Sequence, residues 1–350
     1  MKTRELNEEQ DRFPLARDVA ARAGVSTATV SRVLNGTPGV RADKREAVLR
    51  AAAEMGFVAN AAARALSLRR FKTVGAIIPN IENEEFIRAI SALQKHLCEA
   101  GYTLLLTNAG YDLDIELREA IVLLERGIDG LMLVGDIHQP ELFARLQRHA
   151  VPLVQTFTLS KERDCVGFDN QAVAHRAASY LLDLGHRRIG VVTGLRKEND
   201  RGGARVEGVR QALAARSLSI HPAHDITTSH GIGAGRDALR QILNAGVPPP
   251  TAIICGTDQF AFGVMIEAQA SGLHVPDDLS VIGFNDADYA AFLTPPLTTV
   301  RIHAAEIGRI AGENLVARMA GETRVRVTEI PAELIVRGST APPSLTSRRD

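Results

Sequence analysis

The sequence predicts a small α-helical N-terminal segment carrying a helix-turn-helix, followed by a larger α/β body of mainly parallel sheet. Three observations predict it. Leu15 to Gly56 is rich in Ala, Arg and Val, with its apolar residues at helical spacing. From Thr73 onward short apolar runs alternate with amphipathic stretches, as βαβ units require. The charge is also split. Residues 1–72 hold 14 Lys and Arg against 8 Asp and Glu, and the remainder of the 350 residues holds 27 against 33. The chain total, 41 against 41, hides a basic front on a mildly acidic body, the asymmetry expected where one end meets a polyanion.

Composition excludes several classes. A hydrophobic fraction of 45% and a charged fraction of 23% are ordinary for a globular chain, and this length buries a core without staples. Cys98, Cys165 and Cys255 are far apart and form no C-x-x-C pair, so neither a zinc ribbon nor a redox motif is expected. A low, odd cysteine count suits a reducing cytoplasm. Met1 to Gln10 is charged and lacks an apolar h-region. No apolar run reaches the roughly 18 residues of a membrane span. A cytoplasmic protein with no membrane partner is therefore expected.

Residues 15–35 are the most informative. Leu15 and Val19 are spaced to face a small core, and Ala20 lets a second helix approach. Gly24 stands where a tight inter-helix turn needs positive φ. Ser26 is a good N-cap, and Val30, Val33 and Leu34 make an apolar stripe behind it. The pattern is a helix-turn-helix. Thr27, Ala28, Ser31 and Arg32 fall on the solvent face of its second helix. Arg reads guanine bidentately, Thr and Ser donate to bases or phosphates, and Ala meets a thymine methyl. The competing reading is a solvated helix pair in an ordinary α-domain.

A third helix is expected near Ala42–Met55, with Val48, Leu49, Ala52 and Met55 on one face and Gly56 as its stop. Asn60 can cap a short helix over 61–67, too short to persist without a partner copy or DNA. Its tip, Leu66, reads either as a minor-groove wedge or as a residue packed on its own domain. Strand-like runs follow at 74–79, 104–109, 130–135, 152–157, 188–193, 252–256 and 279–284. The period alone leaves open one large sheet or two lobes.

These residues resemble the lactose-repressor (LacI/GalR) family of bacterial transcription regulators. Asp18-Val19-Ala20, Ala23-Gly24-Val25-Ser26 and Thr29 to Gly36 are similar to its headpiece signature, and Asn60, Ala63, Arg64 and Leu66 to its hinge helix. The likeness continues through 184–189, 275–284, 295–300 and 336–340, and so covers roughly 15–341. It implies a helix-turn-helix headpiece over 15–59 behind a flexible extension at 1–14. It implies a hinge over 60–71, a two-lobed periplasmic-binding-protein-like α/β core over 72–341, and a polar tail at 342–350. The first lobe is expected at about 72–184 and 303–330, the second at about 187–300 and 331–341. It also implies a homodimer on a pseudo-palindromic DNA operator. Thr27, Ala28 and Arg32 would read bases. Ser26, Thr29, Ser31 and Asn35 would contact phosphates. Leu66, beside Ala63 and below Asn60, would wedge the central step.

Ligands of such cores sit at the carboxyl ends of strands. The small-molecule effector is accordingly expected at Asn83, Phe86, Arg205, Thr257, Asp258 and Asn285. Arg205 resembles the family's effector-binding arginine and suits a carboxylate, a phosphate or sugar hydroxyls. Asn285 replaces a usual Asp, and Asn83-Glu84-Glu85-Phe86 replaces a usual Asn-Pro-Phe-Phe. Glu84 and Glu85 read equally as a solvated helix start or as ligand contacts. A further aromatic position of the family falls near Ile226, which leaves the pocket less suited to a flat ring. A hydroxylated acid held by Arg205 is consistent with this set.

No catalytic residues, cofactor or metal are expected. The chain has no G-x-S-x-G elbow and no P-loop, and Gly231 to Gly235 lacks dinucleotide spacing. His221, His224, Asp225 and His230 lie close in sequence but read as polar surface rather than a metal site. The tail after Ala341 has no leucine heptads, so a dimer rather than a tetramer is expected. The reading is an effector-controlled DNA-binding regulator, a repressor. Its alternative is a sensor module without a DNA function.

Overall fold

The structure, a computed structural model, describes residues 14–57, 70–160 and 162–344. The chain forms two compact units, divided between Lys72 and Thr73. This is the position at which the sequence changes texture.

The smaller unit contains helices α1 (Ala16–Ala23), α2 (Thr27–Leu34) and α3 (Ala42–Glu54). The Asp18 carboxylate accepts from the Leu15 amide at 2.7 Å and closes the start of α1. Gly24 ends α1 with φ +65°, and Val25 N–H then returns to the Ala20 carbonyl at 3.0 Å. Ser26 caps α2 by accepting from the Thr29 amide at 3.2 Å. Val19, Ala20, Val30, Val33, Val48, Ala51 and Ala52 form the buried core, with Val25, Leu34, Met55 and Phe57 packed around it. Two expectations need correction. Leu15 precedes α1 and is exposed, and Leu49 is also exposed. On α3 the inward face runs through Val48, Ala51 and Ala52, so Leu49, one residue or about 100° further round, turns outward.

The larger unit holds two six-stranded sheets. The first, in the order β11-β5-β4-β3-β1-β2, comprises β1 (Thr73–Ile78), β2 (Thr103–Asn108), β3 (Gly130–Val134), β4 (Leu153–Thr156), β5 (Cys165–Gly167) and β11 (Val327–Glu329). Helices α4 (Glu84–Glu99), α5 (Leu113–Glu125), α6 (Pro140–Arg148) and α11 (Ala304–Met319) pack with it. The second, in the order β12-β10-β9-β8-β6-β7, comprises β6 (Ile189–Thr193), β7 (Asp225–Thr227), β8 (Ala252–Cys255), β9 (Ser280–Asn285), β10 (Thr298–Arg301) and β12 (Glu333–Ile335). Helices α7 (Asn170–Asp183), α8 (Asp200–Ala214), α9 (Ile232–Leu243) and α10 (Asp258–Ala270) pack with that sheet. All pairings are parallel except β10 with β12. The two-lobed reading is therefore the observed one.

The first lobe boundary needs correction. Helix α7 belongs to the second lobe, so the chain crosses at 168–169 rather than at 184–187. Gly208 of α8 lies against the α7 backbone, and Arg176 of α7 donates to the Ala332 carbonyl at 3.0 Å. The sequence shows that 170–183 is an amphipathic helix but not which sheet buries it. The other crossings, at 302–303 and 330–332, lie where the strand order places them.

Motifs within the second lobe are locks. His186 bonds Thr251 Oγ1 at 2.8 Å and the Ala341 carbonyl at 2.9 Å through its two ring nitrogens. Ser339 Oγ donates to the Val281 carbonyl at 2.6 Å and accepts the Thr298 amide at 2.8 Å. These polar groups are buried and satisfied.

A side-chain carbon at Gly208 would meet the Gln171 carbonyl oxygen at 2.1 Å. Gly208→Ala is expected to lower unfolding free energy by about 1–3 kcal/mol, as overpacking does. Urea denaturation of the two proteins side by side measures it.

Candidate functional site

The outward face of α2 carries Thr27, Ala28, Ser31 and Arg32, all exposed. Arg17, Arg22 and Arg41 are paired with Asp18, Glu54 and Asp43. Arg32, by contrast, has no ion-pair or hydrogen-bond partner among the described residues. Thr29 and Asn35 are partly committed: the Thr29 and Ser26 hydroxyls share a hydrogen bond at 3.0 Å, and Asn35 Nδ2 donates to Ser31 Oγ at 3.3 Å. Asn60, Ala63 and Leu66 lie outside the described residues.

A cleft lies between the lobes of the larger unit, at the carboxyl ends of β1, β2, β6, β8 and β9. The lobes are latched across it. Arg88 of α4 pairs with Asp288, Gln259 Nε2 donates to the Glu82 carbonyl at 3.3 Å, and the Asp136 amide donates to Asp200 at 3.2 Å. Two chambers share Asn83, Glu85 and Thr257 as their common wall. One contains Arg201, Arg205, Tyr111, His230 and Phe86; the other contains Asp258, Asn285 and Tyr289.

Arg205 is buried and rigidly held. Nε donates to Asn170 Oδ1 at 2.9 Å and Nη1 to the Gly256 carbonyl at 2.8 Å, while the guanidinium lies 3.9 Å over the Phe284 ring. Burial lowers its pKa to about 10. Nη2 makes no hydrogen bond to a described residue.

Asp258 is buried with both oxygens used. Thr299 Oγ1 donates to one at 2.5 Å and the Ala287 amide to the other at 2.7 Å. It ties the loop after β9 to strand β10, and burial raises its pKa to about 6. Asn285 ends β9 and Asp286 follows it, with φ +118° and +55°, conformations that L-residues hold only under constraint. Arg301 and Arg337 supply that constraint by gripping the Asp286 carboxylate at 2.7 and 2.6 Å. Phe86 lines the arginine chamber, but its ring packs edge-on against Phe157 at 5.2 Å within the core.

Sequence reasoning left one cleft residue undecided and missed another. Glu84 and Glu85 looked equivalent, yet successive helical residues point about 100° apart. Glu84 pairs with Arg88 at the cleft mouth, whereas Glu85 turns inward and is buried. Burial raises its pKa to about 7, against the pull of Arg205 and Arg201. The second is His230. Ile226 is buried in β7 and lines neither chamber, whereas His230, a few residues on, brings a ring into the arginine chamber. It stacks on Tyr111 at 4.8 Å and on Phe260 at 5.8 Å. Burial lowers its pKa, so the ring is neutral near pH 7. His230 is therefore a cleft residue, not polar surface.

Asn83 Nδ2, Glu85 Oε2, His230 Nε2, Asn285 Oδ1 and Tyr289 OH are buried around the cleft without hydrogen-bond partners. Native cores seldom leave such atoms unpaired, so this grouping makes the cleft the candidate binding site. Among the described residues no group of three His, Cys, Asp or Glu side chains could hold a metal ion.

Residues 16–60 match the model for bacterial regulatory proteins of the lacI family, and residues 178–340 match a periplasmic binding protein-like domain. Catabolite control protein A of Priestia megaterium is 32% identical over 92% of this chain and 98% of its own length. This chain belongs to the LacI family. The transcriptional repressor CytR of Escherichia coli is 33% identical over 95% of this chain and 97% of its own. A LacI-family regulator from Silicibacter pomeroyi superposes with TM-score 0.84 at 26% identity, over 94% of this chain and all of that one. The lac repressor dimer bound to operator shares the fold, with TM-score 0.83 at 23% identity over 94% of this chain and 100% of that one. Among the described residues of this LacI-family chain, no helix is long and apolar enough to cross a membrane.

The Glu85 pKa lies above its ordinary value of 4.5. Its stabilising contribution is thus complete below about pH 4.5 and lost as pH rises through about 7. Relative to wild type, Glu85→Gln is expected to gain about 2–3 kcal/mol in unfolding free energy between pH 5 and pH 8. Chemical denaturation at both pH values checks this, and an unchanged difference would refute it.

Proposed function

We propose that this LacI-family regulator is a cytoplasmic repressor that binds a pseudo-palindromic operator as a homodimer, under the control of a small polar effector held between the lobes. The observation that carries the proposal is the outward face of α2. A capped recognition helix presents Thr27, Ala28 and an Arg32 side chain without a partner among the described residues to solvent, in a region with an excess of basic residues. Thr27, Ala28 and Arg32 read base edges, and Ser26, Thr29, Ser31 and Asn35 contact phosphates. Asn60, Ala63 and Leu66 belong to the segment that follows the headpiece. Phosphate contacts supply most of the affinity and the base contacts the discrimination. The regulatory, non-enzymatic character of the relatives supports this reading, and it assigns the chain no catalytic residues.

In the cleft, Arg205, Asn83, Thr257 and Asn285 are the effector contacts, with Phe86 and Asp258 as walls that hold their shape. The arrangement suits binding rather than turnover, because Asp258 is spent on protein donors. The regulator CelR, solved in complex with cellobiose, is 28% identical over 93% of this chain and 99% of that one, with TM-score 0.69. A ligand sandwiched by the lobes favours the latched state marked by the Arg88–Asp288 pair. It shifts the equilibrium only by its differential affinity for the two states.

The test is to incubate the protein with sheared genomic DNA from its source and sequence what it retains, with and without metabolite extract. One enriched inverted repeat is expected, retained differently when extract is added. No enrichment in either condition would favour the sensor module without a DNA function. On the enriched operator, Arg32→Ala is expected to cost about 1–3 kcal/mol and to relax preference at one base position. Titration against every single-base operator variant reads this out, and equal weakening on all of them would remove Arg32 from base readout. Wild-type affinity is expected to fall linearly on a log–log salt plot.

A further inference from the structure

The two chambers of the cleft differ in chemistry, and Glu85 stands in the wall between them. On one side lie two buried guanidiniums. Arg205 has Nη2 uncommitted, and Arg201 uses Nη1 on Asp200 at 2.9 Å. On the other side are hydroxyl-binding groups without protein partners, Asn285 Oδ1 and Tyr289 OH, with Asn83 Nδ2 in the shared wall. No slot for a flat ring is open in the arginine chamber, because Tyr111 and His230 already stack on each other, 10° from parallel.

We propose that the effector is a small, non-aromatic hydroxylated carboxylate, and that it enters the arginine chamber together with a proton that settles on Glu85. This rests on the reading of the cleft as the effector site. The argument is one of charge. Arg201 is already balanced by Asp200, whereas Arg205 and the unpartnered Glu85 carboxylate line one chamber without forming an ion pair, and Arg205 favours the Glu85 charge from across it. A ligand carboxylate that grips Arg205 competes with Glu85 for that same guanidinium. Two carboxylates on one buried cation do not both stay ionised. Glu85 therefore takes the proton from solvent, and its Oε2, until then without a partner, becomes a hydroxyl donor toward the ligand.

The other titratable groups around Glu85 work in the same direction or stay neutral. Asp258 and Glu84 repel its charge. Tyr111 and Tyr289 are held protonated by burial, and His230 is held neutral. Burial already places Glu85 at about 7 without a ligand, so the proton is available near neutrality. A neutral polyol would leave the Arg205 and Glu85 charges balanced and would bind without a proton.

The test is isothermal titration calorimetry of the full chain with a panel of hexonates and their parent hexoses. Titrations span about pH 6 to pH 9, each in buffers of different ionisation enthalpy. At least one hexonate is expected to bind, about tenfold or more tighter than its hexose. Its affinity is expected to fall about tenfold per pH unit above pH 7, with about one proton taken up per ligand. In Glu85→Gln the affinity is expected to vary less than about twofold over the same range, because the amide already donates. The proposal is overturned if the hexoses bind as well as the acids or if no panel member binds. It is equally overturned if wild-type affinity is flat with pH and independent of buffer. An effect of metabolite extract on operator retention would survive each of those results, so failure here is distinct from failure of the effector reading.

Discussion

Arg205 is a guanidinium taken out of water, and much of the cleft is organised around that fact. An unpaired buried cation is too costly to persist, so its neighbours converge on it. Asn170 accepts from Nε, the Gly256 carbonyl accepts from Nη1, and the Phe284 ring offers its face. Asn170 is itself oriented by donating to the Phe157 carbonyl at 3.0 Å. One charge thereby ties the start of α7, the middle of α8, the end of β8 and β9 to the first lobe. Glu85 lines the same chamber from the opposite lobe, where Arg205 favours its charge without pairing with it.

The rest of the core follows the same rule that buried polar groups are satisfied unless they have a use. His186, Ser339 and Asp286 each make at least two bonds: the first two tie the C-terminal segment to the amino ends of the second sheet's strands, and Asp286 holds the loop that leads into the cleft. Their work is to hold strand ends in place. Of the buried side-chain atoms without a partner among the described residues, those of Asn83, Glu85, His230, Asn285 and Tyr289 surround the cleft, whereas those of Thr107, Gln155, His224 and Asn314 lie outside it.

Much of this was legible in the sequence. Gly24, Ser26 and the Val30, Val33 and Leu34 stripe specify a turn, a cap and a buried face through local backbone physics, and all three appear as read. The seven longer apolar runs are strands because a buried parallel sheet needs continuous apolar segments. The short strands β5, β7, β10, β11 and β12 were not legible. With only three or four residues each, they exist because a neighbouring strand supplies their partners. Arg205 and Asn285 could be placed from motif context. Glu85 and His230 could not, since an acid at a helix start and a histidine in a loop look solvated until a second lobe covers them.

The sequence by itself therefore determined the headpiece, the alternation of strand and helix, and the uneven charge. These depend on neighbours within a few residues and on composition. Tertiary structure alone decided that α7 packs with the second sheet, that Leu49 turns outward, and that Glu85 rather than Glu84 is buried in the cleft. Each of those outcomes depends on which surfaces meet. Burial is a property of contact between segments far apart in the chain, and no local pattern encodes which partner arrives.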